Sequence, residues 1–161
     1  MAILQYIEQK GKVFRVLELF FILNVYALNM EKDFDAWNKK KKATNASHEQ
    51  TIFYEREVWW SKIGLNIGVE IDGKHEIFLR PVIILRKFNK DMAIIIPTTA
   101  QDKSNKYYLD IAENEGRSYK ACLSQIQTIS TKRLFRKIGT IRKEDYELLI
   151  KKVSKMIQGT L

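Results

Sequence analysis

Only two prolines occur in this 161-residue chain, and each stands beside a side chain able to hold a phosphate. Arg80 precedes Pro81, while Thr98 and Thr99 follow Pro97 at the end of the apolar run Ile94-Ile95-Ile96. A guanidinium offers fixed, forked donors to two oxygens of one anion, and a threonine hydroxyl adds a short, stiff one. Proline donates nothing to a β ladder, so both prolines should mark strand ends or edges, where side chains are free to meet a ligand. If Phe78–Phe88 and Met92–Ala100 form a hairpin about Asn89-Lys90-Asp91, the prolines come roughly opposite each other. Arg80 then shares one open end of the pair with Thr98 and Thr99. Such a pair can bind a phosphate and stabilise charge developing on its oxygens. A plainer reading stays open here, in which Thr99 only terminates a strand and Arg80 is a surface charge.

The elements that must position these residues are legible as alternating β-branched and aromatic segments. Arg56–Gly64, Phe78–Phe88, Met92–Ala100, Lys106–Ala112, Lys120–Ser130 and Phe135–Ile141 read as strands, close enough together for a small, strongly curved sheet or barrel. Glu144–Ile157 carries Tyr146, Leu149, Ile150, Val153, Met156 and Ile157 at helical spacing, with acids first and lysines late. Glu31–Lys42 suits a short exposed helix with Phe34 and Trp37 on one face, ending in the lysine run Lys39–Lys42, and the polar Ala43–Gln50 reads as a linker. The fold class expected is mainly β with a C-terminal helix (α+β), with residues 1–50 as an N-terminal extension and 51–161 as the domain. Trp59 and Trp60 are adjacent on a strand and face opposite sides, so they cannot both enter the same core.

Composition narrows the partners. A net charge of +9 and a pI near 9.6 favour an anionic partner, whether nucleic acid, an acidic protein segment or a membrane surface. Cys122 is the only cysteine, which leaves no intrachain disulfide and makes a reducing, cytoplasmic interior the easier home. His48 and His75 are far apart and form no metal-ligand pair, so no cofactor or metal is expected. Residues 13–28 are apolar but short for a bilayer span and contain Arg15 and Glu18. No membrane partner is therefore expected, and an extension upstream of a true start at Met30 is the plainer reading beside that of a membrane or export segment.

The ordered segments WWSKIGLNIGVEIDGK, FLRPVIIL, IPTTAQ and LSQIQTISTKRLFRKIG resemble the MazF/PemK family of toxin endoribonucleases, from Phe53 to the C-terminus. This resemblance implies an SH3-like barrel, usually dimeric, that binds single-stranded messenger RNA and is held inactive by an antitoxin whose acidic tail occupies the same groove. By position, Arg80 and Thr99 match the family's catalytic arginine and threonine, and Thr98 matches a position of no known catalytic role. Glu70 matches the acidic residue of the loop between the first two strands, while Ile71 stands where glutamine is common. Ser124 and Gln125 fall in the segment that lines the RNA groove, and Gln127 replaces a basic residue found in many members. Base contacts would come from the Gly64–Glu76 loop and from Trp59 or Trp60.

The implied reaction is attack of an RNA 2′-hydroxyl on the adjacent phosphodiester without a metal, giving a 2′,3′-cyclic phosphate and a 5′-hydroxyl end. Two rivals remain at this level. One is a toxin of the same fold that acts by binding a protein such as DNA gyrase. The other is a degenerate RNA-binding module, which the departures at Ile71 and Gln127 leave open.

Overall fold

Among the described residues are seven strands and two α-helices: α1 (Phe34–Ala46), β1 (Glu57–Lys62), β2 (Leu79–Lys87), β3 (Met92–Thr99), β4 (Tyr108–Ala112), β5 (Ser118–Cys122), β6 (Gln127–Ser130), β7 (Leu134–Thr140) and α2 (Lys143–Ile157). The computed structural model describes residues 32–102 and 104–161. Residues 34–161 form one compact unit. The readings of residues 13–28 and of Met30 lie outside the described residues. Among those described, no helix is long and apolar enough to cross a membrane.

The hairpin expected about Asn89-Lys90-Asp91 is present. β2 and β3 pair antiparallel with Val82 opposite Pro97 and Ile83 opposite Ile96. Both strands are apolar on successive residues because both of their faces are buried, which alternation would not satisfy. One face, with Val58, Ile83, Leu85 and Ile96, packs on Leu149 and Val153 of α2. The other, with Val82, Ile84, Ala93 and Ile95, packs on Phe53, Trp59 and Leu134.

Every strand pair is antiparallel, in the order β4-β5-β3-β2-β1-β7, with β6 added to β3. The segment expected as one strand over Lys120–Ser130 is instead two. Both run along the same edge of β3: β6 pairs with Met92–Ile95 and β5 with Thr98–Thr99. The tight turn Leu123–Gln125 joins them, with buried Leu123 turned into the core. A continuous strand cannot follow an edge that changes neighbours at Pro97, where the ladder loses its donor.

The two outer strands meet. Glu113, after β4, bridges Ile141, after β7, and the Asn114 and Arg142 amides donate to the Thr140 and Ala112 carbonyls at 3.1 Å each. This brings the ends of the sheet together into the expected small barrel. The closure is held by the buried Glu113 carboxylate, which accepts from Arg117 Nε at 2.9 Å and Tyr119 Oη at 2.7 Å. Gly139 lies against it: a β-carbon there would come within 2.6 Å of a Glu113 oxygen.

α2 follows its periodicity only in part. Leu149 and Val153 are buried, whereas Ile157 is exposed. Tyr146 donates its hydroxyl to the Leu85 carbonyl at 2.8 Å, and Asp145 accepts from the Ala112 amide and Arg142 Nε, which fixes the first turn to β4. α1 runs four residues past the expected helix end, into the presumed linker. Its Trp37 is buried against Phe78, with ring centroids 5.5 Å apart, whereas Phe34 faces out. Lys132 Nζ donates to the Asn45 carbonyl at 2.7 Å and satisfies the helix's last turn from outside, which no local sequence signal could announce.

Glu57 ties β1 to β7. Its carboxylate receives Trp59 Nε1 at 2.9 Å, the Tyr54 amide at 2.8 Å and Lys137 Nζ at 2.6 Å. Burial alone would raise its pKa, but the three hydrogen bonds and the Lys137 charge hold it below the ordinary value. A carboxyl whose pKa falls on folding contributes fully above its unfolded value and loses that contribution as pH falls through the folded one. Urea unfolding of the wild type should therefore show stability falling as pH drops below about 4.5. Glu57→Gln should be less stable at neutral pH and flatter with acid. Equal pH slopes for the two proteins would remove Glu57 from this role.

Candidate active site

The open end of the β2–β3 hairpin is a pocket of about 210 Å³, and Arg80 and Thr99 both line it. Arg80 is only 8% exposed. Its Nε donates to the Asp72 carbonyl, and its Nη1 donates to the Thr98 carbonyl at 3.0 Å. Two fixed acceptors on one rigid fork leave the guanidinium a single orientation, with its other donors available to the pocket. Burial lowers the pKa of Arg80, while the proximity of Cys122 and Asp72 acts in the opposite direction. Arginine remains a cation after such a shift, so the pocket holds a positive charge with little water around it.

The two threonines divide. Thr98 is buried and spends its hydroxyl on the Pro81 carbonyl at 3.1 Å, so it belongs to the hairpin. Thr99 faces the pocket, and its Oγ1 accepts from the Gln101 amide at 3.1 Å. That bond occupies a lone pair and leaves the hydroxyl proton free to donate. Arg80 and Thr99 thus present donors to the same small volume.

One wall comes from the loop between β1 and β2, which is pinched at its neck. The Gly73 amide donates to the Gly64 carbonyl at 2.6 Å, the Gly64 amide to the Phe78 carbonyl at 3.2 Å, and the Lys74 amide to the Leu79 carbonyl at 2.8 Å. Gly73 must be glycine, since a β-carbon would lie 2.0 Å from the Phe78 oxygen. Gly64 has φ of +89°, and its β-carbon would meet the Trp37 indole at 2.1 Å. Helix α1 therefore braces this neck through Trp37.

Gln125 joins the loop to the barrel. Its Oε1 accepts from the Ile71 amide at 3.0 Å and its Nε2 donates to the Val69 carbonyl at 3.4 Å. Glu70 lies on the rim, with its carboxylate accepting from the Ile67 amide at 3.1 Å. Glu70, Ile71 and Gln125 also border a second compartment of about 350 Å³, where they are joined by Ser124 and Gln127. The shared residues make the two compartments one trough.

Of the expected site residues, Arg80, Thr99, Glu70, Ser124 and Gln125 are thus brought to this trough. The tryptophans are not. Trp59 is buried in the second core cluster with its indole N–H given to Glu57, so it offers no face to a ligand. Trp60 is half-buried between Pro81 and Arg136 on the neighbouring strands, and it borders neither compartment. Lys74, Gln101, Tyr108 and Cys122 also line the pocket, and the sequence had not singled them out for it. The opposition of Tyr108 to Cys122 across β4 and β5 brings that pair in, a register that appears only once the sheet is formed.

A family model described as PemK-like, MazF-like toxin of type II toxin-antitoxin system matches residues 55–157. Among solved structures, MazF from Deinococcus radiodurans superposes with a TM-score of 0.57 at 13% identity, covering 67% of this chain and 98% of that one. A MazE-MazF structure from the same organism gives 0.52 at 11% identity, over 67% and 97% of the two chains. An endoribonuclease in complex with its cognate antitoxin from mycobacterial species gives 0.53 at 8% identity, over 66% and 96%. At these identities the likeness establishes the fold. No curated protein matches the sequence.

Removing the Gln125 amide should free the loop from the barrel. In Gln125→Ala, hydrogen exchange at the Ile71 amide should speed up while the β2–β3 amides keep their protection. Unchanged exchange at Ile71 would mean that the neck alone holds the loop.

Proposed function

Because this chain belongs to the family of PemK-like, MazF-like toxins of type II toxin-antitoxin systems, we propose that it is an endoribonuclease that cuts single-stranded RNA at specific sequences and so inhibits translation and growth. The observation that carries this reading is the convergence of Arg80 and Thr99 on one pocket, the first locked by two main-chain carbonyls and the second with a hydroxyl proton to give.

In this mechanism the RNA 2′-hydroxyl attacks its own 3′-phosphodiester. The P–O bond to the next nucleotide's 5′-oxygen breaks, giving a 2′,3′-cyclic phosphate and a 5′-hydroxyl end. Negative charge grows on the non-bridging oxygens, and Arg80 stabilises it with donors that need no reorganisation. Thr99 fixes one of those oxygens by hydrogen bonding. A neighbouring nucleotide would occupy the second compartment, where Ser124 and Gln127 offer hydroxyl and amide groups to base edges and Gln125 holds the loop wall in place. Ile71 is apolar where the resemblance leads one to expect glutamine, and Gln127 is uncharged where it leads one to expect a basic residue, so base choice here should differ from that of members carrying those residues.

The partners in this reading are messenger RNA, a second copy of the chain, and an antitoxin whose acidic segment covers the same trough. The net charge of +9 suits both anionic ligands. A cytoplasmic site of action follows from the substrate, and no cofactor is invoked.

The test is to incubate purified protein with a long single-stranded RNA in EDTA, beside Arg80→Ala and Thr99→Ala, and to map the fragment ends. Discrete cuts with cyclic-phosphate ends are expected, with the rate lowered by about 10²–10³ when Thr99 is lost and by at least as much without Arg80. Arg80→Lys should not restore cutting, because an ammonium cannot hold both carbonyls and still present a fork. A DNA strand of the same sequence should stay intact for want of the 2′-hydroxyl. Intact RNA from a folded, toxic protein would overturn the reading in favour of a toxin that acts by protein contact.

A further inference from the structure

The lysine run of α1 does not end as a plain solvated face. Lys41 folds back so that its ammonium lies 5.7 Å from the Trp37 ring centroid, and the Arg133 guanidinium lies 5.6 Å from the same ring. Lys132 reaches the Asn45 carbonyl at 2.7 Å. These three cations, from a helix and from the short turn before β7, surround a pocket of about 140 Å³ together with the hydroxyls of Thr44 and Ser130. No carboxylate lines it, and no ion pair is made by Lys41, Lys132 or Arg133 among the described residues.

Each cation has spent only part of its capacity. Lys132 gives one of three N–H donors to Asn45. Arg133 uses Nη1 on the carbonyls of Lys62 and Ile63, at 2.8 and 3.3 Å, and keeps its other donors. Burial lowers the pKa of Arg133, the direction expected of a cation withdrawn from water without a counter-charge. Like charges gathered around one small cavity repel, and an anion seated among them relieves that repulsion. Lys39, Lys40 and Lys42 extend the positive surface along α1, which lies outside the family-matched residues 55–157.

We propose that Lys41, Lys132 and Arg133, with Ser130 and Thr44, form a second phosphate-binding site that holds the RNA backbone away from the Arg80–Thr99 pocket. A phosphodiester is tetrahedral and can be met by donors from several sides at once, as here, whereas a carboxylate is planar and best met by one fork. The proposal rests on RNA being the substrate. In that setting the site adds affinity without reading sequence, since backbone contacts position a strand and base contacts specify it.

The experiment uses the full chain and a fluorescein-labelled 2′-O-methyl oligouridylate, which lacks the nucleophile and cannot be cut. Anisotropy titrations at several salt concentrations give the slope of log affinity against log salt. Lys41→Gln/Lys132→Gln should lower the magnitude of that slope by roughly 0.7, the value for one lost phosphate contact on a single strand. Lys41→Arg/Lys132→Arg should keep it. Lys39→Gln/Lys40→Gln, on the same helix outside the pocket, should change it less. Circular dichroism melts compare the folding of all four proteins, and Arg133 is left in place because it holds β1.

An unchanged slope in a folded Lys41→Gln/Lys132→Gln protein that still cuts RNA would overturn the site and leave the nuclease reading intact. Equal losses from both glutamine pairs would also overturn it, because the charge would then be diffuse. Loss of binding to a polyglutamate peptide with the RNA slope unchanged would assign the pocket to an acidic protein partner instead. A wild-type protein that neither binds nor cuts RNA would instead remove the premise on which the site rests.

Discussion

A nearly buried guanidinium held between two main-chain carbonyls is the interaction around which the pocket is organised. Arg80 sits at the start of β2, and its two fixed acceptors come from different parts of the chain: Asp72 from the loop before it, Thr98 from the strand beside it. Desolvating a cation is unfavourable unless its donors are met, so the carbonyls must be in place whenever the side chain is. The hairpin register, the loop neck and the orientation of Arg80 are therefore parts of one arrangement. Thr99 joins it because Pro97, which ends one ladder, also turns the edge of β3 from β6 to β5.

Support for that arrangement spreads outward. The loop that supplies the Asp72 carbonyl is narrowed by Gly64 and Gly73, where side chains would collide with Trp37 and with the Phe78 backbone. Gln125 then ties the loop's middle to the barrel wall. The barrel itself is closed by Glu113 lying against Gly139, and its two buried faces are completed by α2 and by the Phe53–Trp59 cluster. Trp37 carries this reasoning beyond the barrel. Helix α1 precedes the family-matched region, yet it braces the neck of the loop that helps orient Arg80.

Two positions show how far identity alone misleads. Trp59 has the residue type of a base-stacking platform but gives its indole N–H to a buried carboxylate, so its ring is core. Gln125 has the type of a base-reading amide, yet both ends of its amide are engaged with the loop backbone. Conversely, Lys41, one of four consecutive lysines on a short exposed helix, lies over an aromatic ring in a pocket with two other cations.

The sequence by itself determined the β-rich class, the Asn89–Asp91 hairpin, the C-terminal helix and the meeting of Arg80 with Thr99. These depend on short-range patterns: apolar runs, turn residues and prolines whose missing N–H limits where they can stand. The ordered motifs from Phe53 onward carried the family resemblance. Tertiary structure decided what depends on contacts between distant segments. It split Lys120–Ser130 into two strands, because the edge of β3 changes partners. It extended α1 to Ala46, where Lys132 meets the Asn45 carbonyl of the last turn. It separated Thr98 from Thr99, and it brought Lys74, Tyr108 and Cys122 to the pocket through loop and strand register. Local propensity is written along the chain, whereas the direction in which a side chain points, and what it meets there, is fixed only when the sheet closes.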